Sequence, residues 1–329
     1  VPQAVNCGDH LPLVWSEEVR GDGRFAVMAR RFRMSGEAID AAPIAIANSI
    51  ENQRRPAAAF DGTSYMIAWS EDRHVYARRL HGDGTFASDA LALTSEGVAG
   101  AAPKIAATDR GFAVLYGEGD DLRRRLILTL IGPGPSLERS TISELRLATH
   151  ALGWNGSELV ALWSGNGQIS ATRVTSTGVV LDREPIRVGF GDILGVPSMT
   201  CEAGQCITSW STWNRGVEIA TIVGDHAFTY SGPFRDLSDY RPRPVDRYNV
   251  AVVSKAGQFQ VITSDPAGGL YTQLLRDGFV LPEIFSGSRL DGGASLVDTA
   301  DGIVMISAHP VFSPGYAGAR RLFLQHLPR

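Results

Sequence analysis

Pro56-AAAFDGTSYMIA-Trp69 is the stretch on which the fold turns: an apolar strand, an Asp-Gly turn, a second apolar strand and a closing aromatic. The same fourteen-residue frame returns as Pro103-KIAATDRGFAVL-Tyr116, His150-ALGWNGSELVAL-Trp163 and Pro197-SMTCEAGQCITS-Trp210, with 47 residues between successive closing aromatics. A fixed period of that length marks stacked supersecondary units. Pro2-QAVNCGDHLPLV-Trp15 carries the frame to the chain start, 54 residues before Trp69. Two weaker copies end at Thr263 and Ser307, with spacings of 53 and 44, which makes seven units.

Within a unit the apolar residues alternate with a period of two, and no stretch sustains the 3.6 period of a long helix. The second copy offers strands A to D at 57–60, 65–69, 75–80 and 91–93, and the fourth at 151–152, 159–163, 169–174 and 186–188. Asp61-Gly62, Asn155-Gly156, Gly82-Asp83-Gly84 and Ser176 to Gly178 supply turns between them. Four short antiparallel strands in each of seven units predict an all-β, seven-bladed β-propeller, in which radial repetition leaves only short sheet edges. The whole chain is expected to be one domain, with blades near 1–49, 50–97, 98–148, 149–191, 192–241, 242–290 and 291–329. The last unit lacks a strand D, so it is expected either to have three strands or to be completed by residues preceding Val1. The sequence opens inside a repeat frame, and a removed segment is expected ahead of it.

Charged residues make up 20% of the 329 and the net charge is −4, so no broad positive field draws nucleic acid or an anionic membrane. No apolar run is long enough for a membrane span. Cys201 and Cys206 flank Glu-Ala-Gly-Gln, a turn between two apolar strands, and are expected to bridge across that hairpin. Cys7 reads as a small buried residue. The hairpin disulfide, the few lysines beside many arginines and the repeat array together predict an exported bacterial protein, secreted, periplasmic or on the cell surface.

Propeller geometry puts the AB and CD turns on one face and the BC and DA connections on the other. The AB turns are short and uniform, whereas the BC and DA connections are long, variable, charged and aromatic, and such loops on a rigid scaffold are where function sits. His150 stands at a frame position held elsewhere by proline, beside the channel mouth, and reads either as a base or as a ring bonded to nearby backbone. His309 and Tyr316 fall in the longest BC connection, and Tyr240 and Arg241 in a DA connection. Histidine, tyrosine and arginine together suit proton abstraction beside a uronic carboxylate, which would make these residues catalytic if the chain is a polysaccharide lyase. Carboxylates at Glu17, Glu71, Asp72, Glu118 and Asp192 offer a glycosidase pair or a structural Ca²⁺ site if they converge, and are otherwise solvated charge. Trp213, Asn214 and Arg215, with Arg73, His74 and Asp192, are the candidate ligand-binding residues, since an exposed indole beside an amide and a guanidinium suits a sugar ring or a protein hot spot. Arg20-Gly21-Asp22 is a turn composition more than an adhesion signal.

No zinc-ligand spacing, phosphate-binding glycine loop or nucleophile elbow is present. In Pro56-AAAFDG, Ala68-Trp69-Ser70 and Leu162-Trp163-Ser164 the chain resembles secreted bacterial seven-bladed β-propeller repeat proteins. That resemblance implies the fold over nearly the whole chain and carries over no catalytic residue. The expected function is recognition of a glycan or protein through the loop-rich face, by a monomer or a part of a longer chain and without a cofactor. A polysaccharide lyase or glycoside hydrolase with its site at the channel mouth is the alternative, and a structural domain of a larger exported protein the second.

Overall fold

The computed structural model describes residues 2–18, 23–47, 49–120, 124–133, 137–144, 149–191, 193–212, 216–230, 251–255, 258–264, 269–276, 279–280, 284–289, 294–299, 302–310 and 320–327. These residues contain no helix and form seven antiparallel sheets. Blade 1 is the meander β1 (Gln3–Ala4), β2 (His10–Glu18), β3 (Phe25–Arg33) and β4 (Ile44–Ala45). Blade 2 runs β5 (Gln53–Phe60), β6 (Ser64–Glu71), β7 (His74–His81) and β8 (Leu91–Ala92). Blade 3 follows with β9 (Gly100–Thr108), β10 (Gly111–Glu118), β11 (Arg125–Ile131) and β12 (Leu137–Ser143). Blade 4 has β13 (Thr149–Trp154), β14 (Glu158–Gly165), β15 (Gln168–Thr175) and β16 (Ile186–Phe190). In blade 5 the strands are β17 (Ile193–Glu202), β18 (Gln205–Thr212), β19 (Gly216–Val223) and β20 (His226–Tyr230). Blade 6 has five, β21 (Ala251–Lys255), β22 (Gln258–Ser264), β23 (Gly269–Arg276), β24 (Phe279–Val280) and β25 (Ile284–Arg289), the last paired with β23. Blade 7 has three among the described residues, β26 (Ala294–Thr299), β27 (Gly302–Pro310) and β28 (Arg320–Leu327).

The innermost strands contact one another in sequence from β5 through β9, β13, β17, β21 and β26, and β26 returns to β1. That last contact closes the ring. Leu11 and Leu13 of blade 1 share a core with Val297, Val304 and Ile306 of blade 7, so the closure is apolar as well as geometric. No helix among the described residues is long and apolar enough to cross a membrane.

The period of 47 becomes intelligible in the packing. Trp69, Tyr116, Trp163 and Trp210 are each at most 1% exposed, and each lies in a core shared with the preceding blade. One large ring per blade thus fills the wedge between two radial sheets. Trp15, which plays this part at the closure, is only partly buried. The AB turns of blades 2 and 4 are each built by one side chain: Asp61 Oδ1 accepts from the backbone N–H groups of Thr63 and Ser64, and Asn155 Oδ1 does the same for Ser157 and Glu158. The glycine after each, Gly62 and Gly156, takes a φ of 97° or 102° that L side chains avoid.

A second repeated device lies on the CD connections. Asp40 accepts from the backbone N–H and the guanidinium of Arg31, and Asp182 does the same for Arg173 nine residues upstream. Ser88 occupies the matching position toward Arg79. The arginines then reach into the next blade, Arg31 to the Gly82 carbonyl at 2.8 Å and Arg79 to the Gly132 carbonyl at 3.1 Å. Several of the many arginines are therefore staples between blades.

Strand A does not begin at the frame proline. In blades 2, 3 and 5 it runs on past the proline through a bulge, with register shifts between Arg54 and Ala57, opposite Leu115 and Gly117, and between Leu194 and Ser198. Proline has no N–H for the ladder, so pairing lapses there and resumes beyond. The residues just before two of these prolines, Arg55 and Ala102, take φ values of 54° and 58°. Blade 4 has His150 in that slot, and its ladder continues unbroken with His150 opposite Trp163.

Candidate binding site at the channel mouth

The bulge of blade 3 is held from both sides. The Ala102 N–H donates to Ser70 Oγ of blade 2 at 3.0 Å, and its carbonyl accepts from His150 Nε2 of blade 4 at 2.7 Å. A bulged peptide cannot use its own ladder, so neighbouring side chains satisfy both of its polar groups. His150 is 6% exposed. Burial, and next the Lys104 charge, pull its pKa from 6.5 to about 4, so the ring is neutral at pH 7 and donates through Nε2. A neutral ring committed to backbone is a poor general base, and the backbone-bonded reading of His150 is the one the geometry supports.

Among the described residues, three carboxylates of this face, Glu17, Glu71 and Glu118, are engaged in the scaffold. Glu17 accepts the Trp15 indole N–H at 2.9 Å and Glu71 accepts that of Trp69 at 3.0 Å. Glu118, 1% exposed, takes Arg139 at 2.6 Å and Arg125 at 3.4 Å and accepts the Ser95 N–H. Glu51 and Asp72 meet on exposed turns, where a hydrogen bond with Asp72 raises the Glu51 pKa. Carboxyls in hydrogen-bond contact are closer than the roughly 5 Å that glycoside hydrolysis needs between its two acids.

Of the other residues singled out in the sequence, His74 opens β7, its Nδ1 3.1 Å from Thr94 Oγ1, and Arg73 sits on the preceding turn, where its carbonyl accepts the Gly100 N–H. His309 lies on β27 opposite Arg321 and not in a loop, because the β27–β28 hairpin pairs out to Pro310 and Arg320. Trp213, Asn214, Arg215, Asp192, Tyr240, Arg241, Tyr316 and the Arg20-Gly21-Asp22 turn lie outside the described residues. Cys201 and Cys206 face each other on β17 and β18 and are joined by a disulfide. The bridge rests against Gly153 of blade 4, where an added Cβ would stand 2.2 Å from Cys201 Sγ, so that position has to be glycine. Cys7 is a free thiol whose pKa burial pushes up to about 12, which makes it inert as a nucleophile.

Blade 3 and its border with blade 4 also carry departures from the frame that the proline and aromatic positions do not reveal. The position after the frame proline is Ala57 in blade 2, Ala151 in blade 4 and Ser198 in blade 5, but Lys104 in blade 3. The position after the closing aromatic is Ser16, Ser70, Ser164 and Ser211 in blades 1, 2, 4 and 5, but Gly117 in blade 3. A Cβ at Gly117 would meet Arg124 Cδ at 2.8 Å, so the missing side chain makes room for the arginine stem. Both substitutions could have been found by aligning the units column by column.

No family model matches the chain, and no curated protein matches it in sequence. Solved structures do match in shape. The Dos1 propeller aligns with a TM-score of 0.54 at 9% identity, covering 90% of this chain and 72% of that one. The WD40 domain of Toxoplasma gondii coronin aligns at 0.55 and 11%, covering 93% and 77%, and the SapL1 lectin in complex with alpha methyl fucoside at 0.52 and 12%, covering 89% and 96%. The chain is a seven-bladed β-propeller. Identities this low establish the fold of the propeller and nothing about its ligand.

Proposed function

We propose that this propeller is an extracellular recognition module that binds a glycan or a protein through its BC and DA face. The observation that carries the reading is the fate of the acids and of His150 on that face. Glu17, Glu71 and Glu118 hold indoles or arginines, and the His150 ring is neutral and bound to Ala102. These are groups spent on rigidity, and a rigid ring that presents variable loops suits binding better than proton transfer. The hairpin disulfide supports export to an oxidising compartment. SapL1, of similar fold, is a lectin, which makes a glycan the first class of ligand to test.

The test is a glycan array together with a polysaccharide-degradation screen, on wild type beside His150→Ala, His309→Ala and Trp213→Ala. The reading expects retention of a glycan or protein ligand, weakened by Trp213→Ala, with no product released by any form. Release of unsaturated or hydrolysed sugar by wild type, lost in a histidine variant, would overturn it.

A further inference from the structure

The chain contains only two lysines, Lys104 and Lys255, among its 31 basic residues. Lys104 is on the innermost strand β9, two residues after Ala102 and opposite Leu115. Its side chain keeps some accessible surface but is largely enclosed by protein, and it forms no hydrogen bond or ion pair among the described residues. Burial, and then the nearby Arg55 charge, lower its pKa, and no carboxylate offsets either effect. An enclosed ammonium without a counter-charge costs stability and is ordinarily lost from a core unless something pairs with it. The repeat shows how easily it could be lost, since Ala57 and Ala151 fill the same slot in the adjoining blades.

The neighbours are of the same sign. Arg55 stands at the bulge of blade 2 with its side chain exposed, and Arg124 lies over Gly117 and acts electrostatically on His150, as Lys104 does. Four groups from three consecutive blades therefore feel one another electrostatically around β9: Arg55 of blade 2, Lys104 and Arg124 of blade 3, and the neutral, backbone-bound His150 of blade 4. Three of them depend on departures from the frame, namely Lys104 for alanine, Gly117 for serine beneath Arg124, and His150 for proline. Of these departures Lys104 adds a positive charge, Gly117 makes room for the charge of Arg124 and His150 adds a neutral ring, and together they suit a ligand of opposite charge.

We propose that the joint between blades 3 and 4 at the channel mouth is an anion subsite, in which Lys104, Arg55 and Arg124 seat the carboxylate or sulfate group of an acidic sugar. Lysine suits an enclosed place because its compact ammonium donates in three directions, where arginine offers a planar fork. The inference rests on the recognition reading above and gives it a ligand class.

Calorimetric titration with glucuronate, glucose 6-sulfate, inorganic sulfate and neutral glucose tests it, on wild type and Lys104→Ala, with melting curves for both. Lys104→Ala restores the residue of blades 2 and 4, so it is expected to fold, to melt higher than wild type, and to bind the acidic sugars about tenfold more weakly. Gly117→Ser, which restores the serine and displaces Arg124, is expected to weaken the same ligands with the fold kept. Equal binding of an acidic sugar by wild type and Lys104→Ala overturns the subsite and leaves glycan recognition standing. Binding of inorganic sulfate that depends on Lys104, with no glycan held on the array, supports the anion subsite and removes the glycan reading. Absence of binding by all three anions overturns the subsite, as does a lower melting temperature for Lys104→Ala, which would make the lysine structural.

Discussion

The joint between blades 2 and 3 and the joint between blades 3 and 4 are built on the same frame and have different chemistry. At the first, Ser70 satisfies the bulged Ala102 N–H and Pro103 opens the ladder, so on the blade 2 side the bulge is held by a hydroxyl that does not titrate near neutral pH. At the second, a glycine replaces the serine, a histidine replaces the proline, and a lysine stands where the adjoining blades have alanine. The aromatic wedge is conserved across both, with Tyr116 in one and Trp163 in the other, so the ring closes alike. The difference shows that a repeat protein can change the surface of one joint without changing its packing.

The largest effect tests that separation. Trp163→Ala removes the wedge of the second joint and is expected to cost about 3–5 kcal/mol in denaturant unfolding, as Trp69→Ala should at the joint of blades 1 and 2. A markedly smaller loss at Trp163 would mean that the second joint is packed loosely.

The next prediction is a pH dependence that only the second joint should have. The unfolded chain protonates His150 near 6.5, whereas the folded chain resists until about 4, so the unfolded state binds more protons between those values. The contribution of His150 to stability is therefore full above about 6.5, falls as the pH drops toward 4, and is level below, a loss of about 3 kcal/mol. Unfolding curves of wild type and His150→Gln across that window check it, and the variant should lack this component.

Glu118→Ala strips the partner from Arg139 and Arg125. The expected loss is about 2 kcal/mol, below the usual figure for a buried pair because the two arginine side chains are 33% and 47% exposed. Smallest is Ser70→Ala, which leaves the Ala102 N–H without its acceptor at the first joint and is expected to cost about 1 kcal/mol with no change in the pH profile.

The sequence made the architecture legible because a wedge residue recurs at a fixed interval and its neighbours alternate. Asp61, Asn155 and the paired cysteines announced their turns through chemistry that is local. The bulges were not legible: a proline reads as a strand boundary, and only the ladder beyond it shows that pairing resumes. The pairs Arg31–Asp40 and Arg173–Asp182 had no local signature, because nine residues separate partners that a strand and its return bring together. His150 stood out as a replaced proline, yet its meaning lay in the Ala102 carbonyl, 48 residues away in sequence. Lys104 carries no local signal, because a single lysine on a strand reads as an ordinary polar position and its meaning lies in the enclosure that the neighbouring blades supply.

The most direct test of a special joint between blades 3 and 4 is the amine reactivity of its lysine. With Lys255 as the internal reference, acylation at graded pH followed by peptide mapping reads Lys104 alone. The account predicts that Lys104 reacts at lower pH than Lys255, because its pKa is lowered, and that glucuronate or glucose 6-sulfate protects it while neutral glucose does not. Labelling of both lysines at the same pH, with no protection by either acidic sugar, would contradict it.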